Sequence, residues 1–278
     1  MHISDIHYSG LKDSSRLEKL YNIIKNYKTN YICITGDLID SNNVVESDIN
    51  SKYLIEWIKK LSKLSVILIS LGNHDIFLRN KHKLVKYYNK DFWNRIRTIN
   101  NVYVLDNEAY SDKNIYVYGF TLSYEYYYKY KKESVKLLLD EINKNRVNEI
   151  NENKLKICMM HSPLRLSEKS VKEKFNCYDL ILTGHMHNGV VPPIIDEIFD
   201  NDIGIISPGK KLFPKMARGI IIDNNILSIS AGMIKFHVTV TPLIRWANII
   251  YPIPINIINV TNKKCDTKKS HRYVKQNY

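Results

Sequence analysis

The apolar positions change period along the chain, and those changes divide it into strands and helices. Residues 31–35 and 66–71 are short, nearly unbroken apolar runs, the pattern of strands buried on both faces. Residues 16–28 and 51–63 instead place apolar side chains three and four apart. Leu17, Leu20, Tyr21 and Ile24 form one such stripe; Leu54, Trp57, Ile58 and Leu61 form the other. That spacing predicts amphipathic helices. Residues 2–6 read as the end of a further strand. Strand, helix, strand, helix, strand predicts a parallel sheet with right-handed crossovers.

The middle of the chain loses this rhythm. Residues 76–100 are basic and aromatic, with helix expected in part. Strands are expected at 102–105 and 115–120. Residues 124–152 are rich in Lys and Tyr, with a helix expected at 133–145. The two inserts are candidate walls or lids of a site. Strands resume at 155–160, 180–182, 203–207, 219–223 and 226–230, the last two joined by Asn224-Asn225 as a tight hairpin. A final strand is expected at 253–260. The expected organisation is one domain over 1–261 and a basic, flexible tail over 262–278.

Composition narrows the class. With 44% hydrophobic and 25% charged residues, the 278-residue chain has the balance of a globular protein, which excludes disorder as its main state. A formal net charge of +13 attracts polyanions and anionic surfaces. Richness in Lys, Asn, Ile and Tyr yields the same charge with no such partner. Cys33, Cys158, Cys177 and Cys265 form no C-x-x-C pair, so neither a thiolate metal site nor a disulfide framework is expected. No apolar run reaches the roughly 18 residues of a spanning helix; residues 244–260 are interrupted by Arg245, Pro252 and Pro254. The expected location is cytoplasmic for the chain as it stands. Membrane association follows if the natural chain extends upstream of Met1, because the first chemical motif comes abruptly. An anionic membrane surface is the partner that Lys263, Lys264, Lys268, Lys269 and Arg272 suggest; no stable protein partner is expected.

The polar residues that break the apolar runs carry the chemistry. Each such group sits where a predicted strand ends: Asp5 and His7, then Asp37, then Asn73-His74-Asp75, then His161, then His185 and His187. Ligands of open α/β sheets bind at the carboxyl ends of strands. Residues two apart in an extended segment point the same way, so Asp5 with His7, and His185 with His187, can each grip one ion. Oxygen and imidazole donors without thiolate suit Mn, Fe or Zn. A carboxylate at Asp37 can bridge two ions about 3.5 to 4 Å apart. Asp40 reads as a helix cap or loop residue ahead of one that supports the ligands from behind, and Tyr124–Tyr130 as either a stacking surface or a cover for the core edge.

The series SDIH, GD, GNHD, a lone His and GHMH, in that order over two thirds of the chain, resembles the calcineurin-like metallophosphoesterase superfamily. The resemblance implies a four-layer α/β/β/α sandwich with two mixed sheets. It also implies two divalent ions, with Mn expected and Fe or Zn as alternatives, and a phosphorylated substrate. Carried over by position, Asp5, His7 and His187 hold the first ion, Asn73, His161 and His185 hold the second, and Asp37 bridges them. Water activated between the ions then attacks phosphorus. His74 faces the substrate as a catalytic residue, with Asp75 as the partner that fixes its ring. The run after His187, with Pro192 and Arg218-Gly219, also resembles a membrane-associated bacterial branch that includes lipid-linked pyrophosphate hydrolases. Lipid-linked pyrophosphate and nucleotide or nucleic-acid phosphodiester remain open as substrates. The competing class is a non-catalytic scaffold on the same fold, which a missing ligand would favour; none is missing.

Overall fold

Side chains alternate between the two faces of a strand, and the central strands here bury both. In β2 (Tyr31–Thr35), Ile32 and Ile34 join a core shared with helices, whereas Cys33 joins a separate core between two sheets. The same division holds in β3 (Val66–Ser70), where Ile67 and Ile69 oppose Leu68. Burying each such side chain is worth about 1.5–3 kcal/mol. These observations come from a computed structural model that describes residues 1–80, 83–86, 89–123, 127, 136, 139–140, 153–163, 166, 169–191, 202–207, 212–222, 225–233, 253, 255–260 and 274–277.

The first sheet holds β1 (His2–Ile3), β2, β3 and β6 (Val102–Leu105) in parallel. It is extended antiparallel beyond β1 by β13 (Ile255–Ile258) and β14 (Val274–Asn277). The second sheet holds β8 (Ile115–Phe120), β9 (Leu155–Met160), β10 (Leu180–Thr183) and β12 (Ile226–Ile229) in parallel. Its antiparallel edges are β7 (Glu108–Ser111) and β11 (Gly219–Ile222). Both sheets are therefore mixed.

Leu68, Leu105, Val117, Ile157, Met159, Leu180 and Leu182 fill the space between the sheets. Outside the first sheet lie α1 (Ser14–Lys25) and α3 (Asp48–Ser62), each presenting the apolar stripe its spacing predicts, and α5 (Lys90–Arg97), which buries Phe92, Trp93 and Ile96. Trp57 of α3 is buried and its Nε1–H donates to the Leu17 carbonyl of α1 at 2.9 Å. Outside the second sheet, Phe175, Tyr178, Val171 of α6 (Lys169–Lys174), Tyr127 and Leu139 cover Tyr118, Phe120, Cys158 and Met160. The architecture is the expected α/β/β/α sandwich.

Several local expectations differ. β1 is shorter than expected, because residues 4–7 leave the sheet with Asp5 and His7 in left-handed conformations. The start of the 76–100 insert is an antiparallel hairpin of β4 (Phe77–Asn80) and β5 (Lys83–Lys86), and among the described residues of the insert after Ile76 the helix expected in part is α5. Residues 203–207 form no strand beyond an isolated bridge, Ile206 to Leu212. Their backbone donors are taken by turns instead: Ile205 and Ile206 N–H donate to the Gly189 carbonyl, and Gly204 N–H to that of Pro214. Val274–Asn277, expected to be part of a flexible tail, pairs with Ile255–Ile258; backbone pairing at a sheet edge needs no hydrophobic pattern. The helix expected at 133–145 lies largely outside the described residues, of which Lys136, Leu139 and Asp140 are helical. No helix among the described residues is long and apolar enough to cross a membrane.

Candidate metal centre

The parallel strands of both sheets end at one edge of the sandwich, and the polar residues that follow them meet there. Asp5 and His7 follow β1, Asp37 follows β2, and His161 follows β9. His185 and His187 follow β10. Asn73 and His74 open the single-turn helix α4 (Asn73–Ile76) directly after β3. Asp5, His7, Asp37, His185 and His187 all adopt positive φ, between 46° and 70°. This is the left-handed region, which only a few per cent of non-glycine residues occupy, Asn, Asp and His more often than the rest. Such strain persists only where the surroundings over-determine it, and it clusters at functional sites.

The surroundings do so in two ways. The backbones after β1 and β2 keep pairing beyond the sheet: Asp5 N–H donates to Gly36 O at 3.0 Å, His7 N–H to Asp37 O at 2.9 Å and Tyr8 N–H to Leu38 O at 3.0 Å. Glycines then admit the ligands. A Cβ on Gly72 would lie 2.2 Å from Asp37 Oδ1, and one on Gly184 would lie 2.5 Å from Asp5 Oδ2. Neither position tolerates a side chain.

The donor atoms collect into overlapping groups, each with ligand atoms within 4.8 Å of one another. Asp5, His7 and His187 form one; Asp37, His161 and His185 form another; His7, Asp40 and His74 form a third. Asp37 lies between the first two, with Oδ2 3.6 Å from His7 Nε2 and 3.1 Å from His161 Nε2. Asp5 Oδ1 is 4.0 Å from His7 Nε2 and 3.8 Å from His187 Nε2. All nine residues named from the sequence lie at this edge, although Asp75 faces away from it as described below.

These residues fit a divalent ion by their own hydrogen bonding. The His161 Nδ1 lies 2.8 Å from the Thr35 carbonyl, which can only accept, so Nδ1 carries the hydrogen. Nε2 is then the nitrogen that would offer a lone pair to an ion once its own proton is released, and it lies 3.1 Å from Asp37 Oδ2. Asn73 Oδ1 is buried without a hydrogen-bond partner. Buried acceptors left unpaired are costly unless something else engages them, and a cation does. Metal-binding histidines are typically held by a second hydrogen bond of this kind.

Charge supports the same conclusion. Burial, together with neighbouring imidazoles, pushes His7 well below the usual histidine range, and burial with His161 does so for His185, so both are neutral and free to ligate. Burial opposes ionisation of Asp37, yet His161, His74 and His7 hold its carboxyl well below the usual carboxylate range. Burial also opposes charge on His161, but the Asp37 and Asp5 carboxylates push it up to about 10. One proton on His161 thus occupies the place of positive charge that a metal would take.

His74 differs from the expectation in one respect. Its Nδ1 donates to the backbone carbonyl of Asp40 at 2.6 Å, not to Asp75. The Asp75 carboxylate turns back to accept from Gly72 N–H at 2.8 Å and Ile39 N–H at 3.2 Å. It caps the first turn of α4 and ties the loop after β3 to that after β2. Burial and the Asp37 charge push Asp75 up to about 7. The pairing of Asp75 with His74 is therefore corrected: adjacent residues on a helical turn diverge, and the ring finds its partner on the neighbouring loop. Asp40, for which the sequence favours a cap or loop role over one supporting the site, takes the supporting role. Its carboxylate also lies 3.6 Å from His7 Nδ1, and its signal was a carboxylate three positions beyond Asp37 at the same strand mouth. A cavity of about 560 Å³ lined by Val45, Glu46, Asp48, Asn89 and Arg95 includes none of the ligand residues.

The profile of the calcineurin-like phosphoesterase family matches residues 1–189, which contain every residue of this cluster. The chain belongs to that family. It is a metal-dependent phosphoesterase with a candidate metal-ligand cluster at the strand ends. An uncharacterized metallophosphoesterase of Aquifex aeolicus (strain VF5) is 27% identical over 230 residues, 79% of this chain and 76% of that protein. An uncharacterized protein of Acanthamoeba polyphaga mimivirus is 26% identical over 207 residues, 67% of this chain but only 14% of that much longer protein. Among solved structures, the phosphopantetheinyl hydrolase of Mycobacterium tuberculosis aligns over 66% of this phosphoesterase and 81% of its own chain, at 13% identity and a TM-score of 0.42. The NAD nucleotidase of Haemophilus influenzae aligns over 67% and 38% respectively, at 15% identity and a TM-score of 0.39.

Proposed function

We propose that this phosphoesterase is a dinuclear hydrolase of phosphate esters. Asp5, His7 and His187 would hold one ion, Asn73, His161 and His185 the other, and Asp37 would serve both. The observation that carries this reading is the position of Asp37, whose Oδ2 lies within 3.6 Å of an imidazole nitrogen from each group. The oxygen and imidazole donor set favours Mn, with Fe or Zn as alternatives. Bound there, divalent ions supply the Lewis acidity that activates water and offsets charge on the phosphoryl oxygens.

The protein's own part is positioning and proton transfer. His74 is turned by the Asp40 carbonyl so that Nε2 is the nitrogen left for the substrate. Burial lowers its basicity, but the charges of Asp37 and Asp40 and the Asp40 carbonyl outweigh that and raise it above the usual histidine value. The shift favours the protonated ring, the form that can give a proton to the leaving oxygen, a contribution of about 10²–10⁴ in rate for a general acid. The Asp37 Oδ1 also accepts the His74 N–H at 2.9 Å, so the same carboxylate fixes the proton donor relative to the metal centre.

The test is to strip the protein of metal, refill it with Mn, and assay p-nitrophenyl phosphate and its bis-ester beside Asp37→Asn. Manganese-dependent hydrolysis of either ester, absent in the variant, is the expected result. Failure of the wild-type protein to take up any metal would overturn the reading in favour of a scaffold.

A further inference from the structure

Three rings close one side of the centre. Tyr127, from the second insert, is 6% exposed, and its ring centroid lies 5.1 Å from that of His185 at 61°. It lies 6.0 Å from that of His161 at 50°. His161 and His185 are themselves 5.0 Å apart at 69°. These are the edge-on separations at which aromatic rings attract. The other side is built differently. His7 and His187 stack on each other at 5.3 Å and 25°, and the His187 side chain is 26% exposed. Among the described residues, the only other ring in contact with either is His74, 4.8 Å from His7.

His161 and His185 also differ in how they are held. The Thr35 carbonyl orients the His161 ring. Among the described residues no hydrogen bond does this for the His185 ring, and its backbone N–H is the group bonded to Asp5. A metal ligand needs its ring plane fixed before the ion arrives, and outer contacts of that kind typically govern metal affinity.

We propose that Tyr127 is the positioning residue for His185, holding its ring by edge-on packing in place of a hydrogen bond. The insert that carries Tyr127 thereby controls occupancy of the Asp37, His161 and His185 half alone. This rests on the reading of the cluster as a two-ion centre.

The experiment is calorimetric and optical titration of the metal-stripped protein with Co²⁺, for wild type, Tyr127→Phe, Tyr127→Leu and His185→Ala. Tyr127→Phe keeps the ring and binds both ions as wild type does. Tyr127→Leu weakens one of the two binding events by about 10–100-fold and leaves the other unchanged. The weakened event is the one that His185→Ala abolishes. Unaltered binding in Tyr127→Leu, or equal weakening of both events, overturns the proposal. Should metal-free Tyr127→Leu fail to melt cooperatively, Tyr127→Met, closer in volume, takes its place under the same criteria. A wild-type protein that binds no Co²⁺ overturns the metal-centre reading itself, and the proposal with it.

Discussion

His7 and His187 lie on one side of Asp37, and His161 and His185 on the other, with the Asp5 carboxylate 3.8 Å from both His187 Nε2 and His161 Nε2 and similar imidazoles in unlike surroundings. His161 is fully buried, its ring fixed by a main-chain carbonyl and packed against Tyr127. His187 is partly open to solvent and, among the described residues, stacks on a fellow ligand alone. The difference follows from topology. His161 and His185 follow β9 and β10, interior strands of the second sheet, whereas His187 stands one step further out, in the left-handed turn His187-Asn188-Gly189. His187 is therefore the ligand that a substrate can approach, whereas Asp5, His7, His161 and His185 are all buried.

The comparison is broken most completely at the residue both halves share. Asp37→Asn keeps the shape and the acceptor for His74 N–H but removes the charge. Turnover should be lost altogether, with metal uptake weakened in both halves, as measured by metal content after dialysis. Loss confined to one half would mean that Asp37 serves only that half. Next in size is His74→Asn, for which turnover should fall by about 10²–10⁴-fold with both ions retained. Since His74 also groups with His7 and Asp40, a parallel loss of metal would instead make it a ligand.

Smaller effects separate the halves. His161→Ala should weaken one ion by at least roughly 100-fold, whereas His187→Ala, at the open side, should cost roughly tenfold; both figures extend the known effect of removing groups around a metal. Equal losses on titration would show that the difference in burial has no energetic consequence. The pH dependence is finer still. His161 in the metal-free protein holds its proton up to about pH 10 and must release it to ligate. Uptake by its half should thus strengthen about tenfold per pH unit as pH rises toward that value. His7, already neutral, has no proton to release, so the half containing it should respond less steeply. Identical pH slopes for the two binding events would contradict this assignment.

Much of this was legible because metal chemistry requires particular side chains at strand ends. Nine residues, from Asp5 to His187, could be picked out by type and by their place after an apolar run, and they meet. The helices α1 and α3 were legible for a related reason, since a buried stripe leaves a period of three and four. The hydrogen bond from His74 to Asp40 was not, because a backbone carbonyl has no sequence identity. Nor was the contact of Tyr127 with two ligand rings, since seven successive residues from Tyr124 to Tyr130 contain six aromatic or cationic candidates with no period to choose among them. The β4–β5 hairpin was not legible because Phe77–Asn80 and Lys83–Lys86 are short and carry no alternating apolar pattern in sequence.

The central claim, that Asp37 joins two ion sites, is tested most directly by anomalous diffraction from crystals of the protein loaded with Mn. Two peaks are predicted, one against Asp5, His7 and His187, the other against Asn73, His161 and His185, with Asp37 contacting both. A single peak, or two peaks with Asp37 bound to neither or only one, would contradict the account.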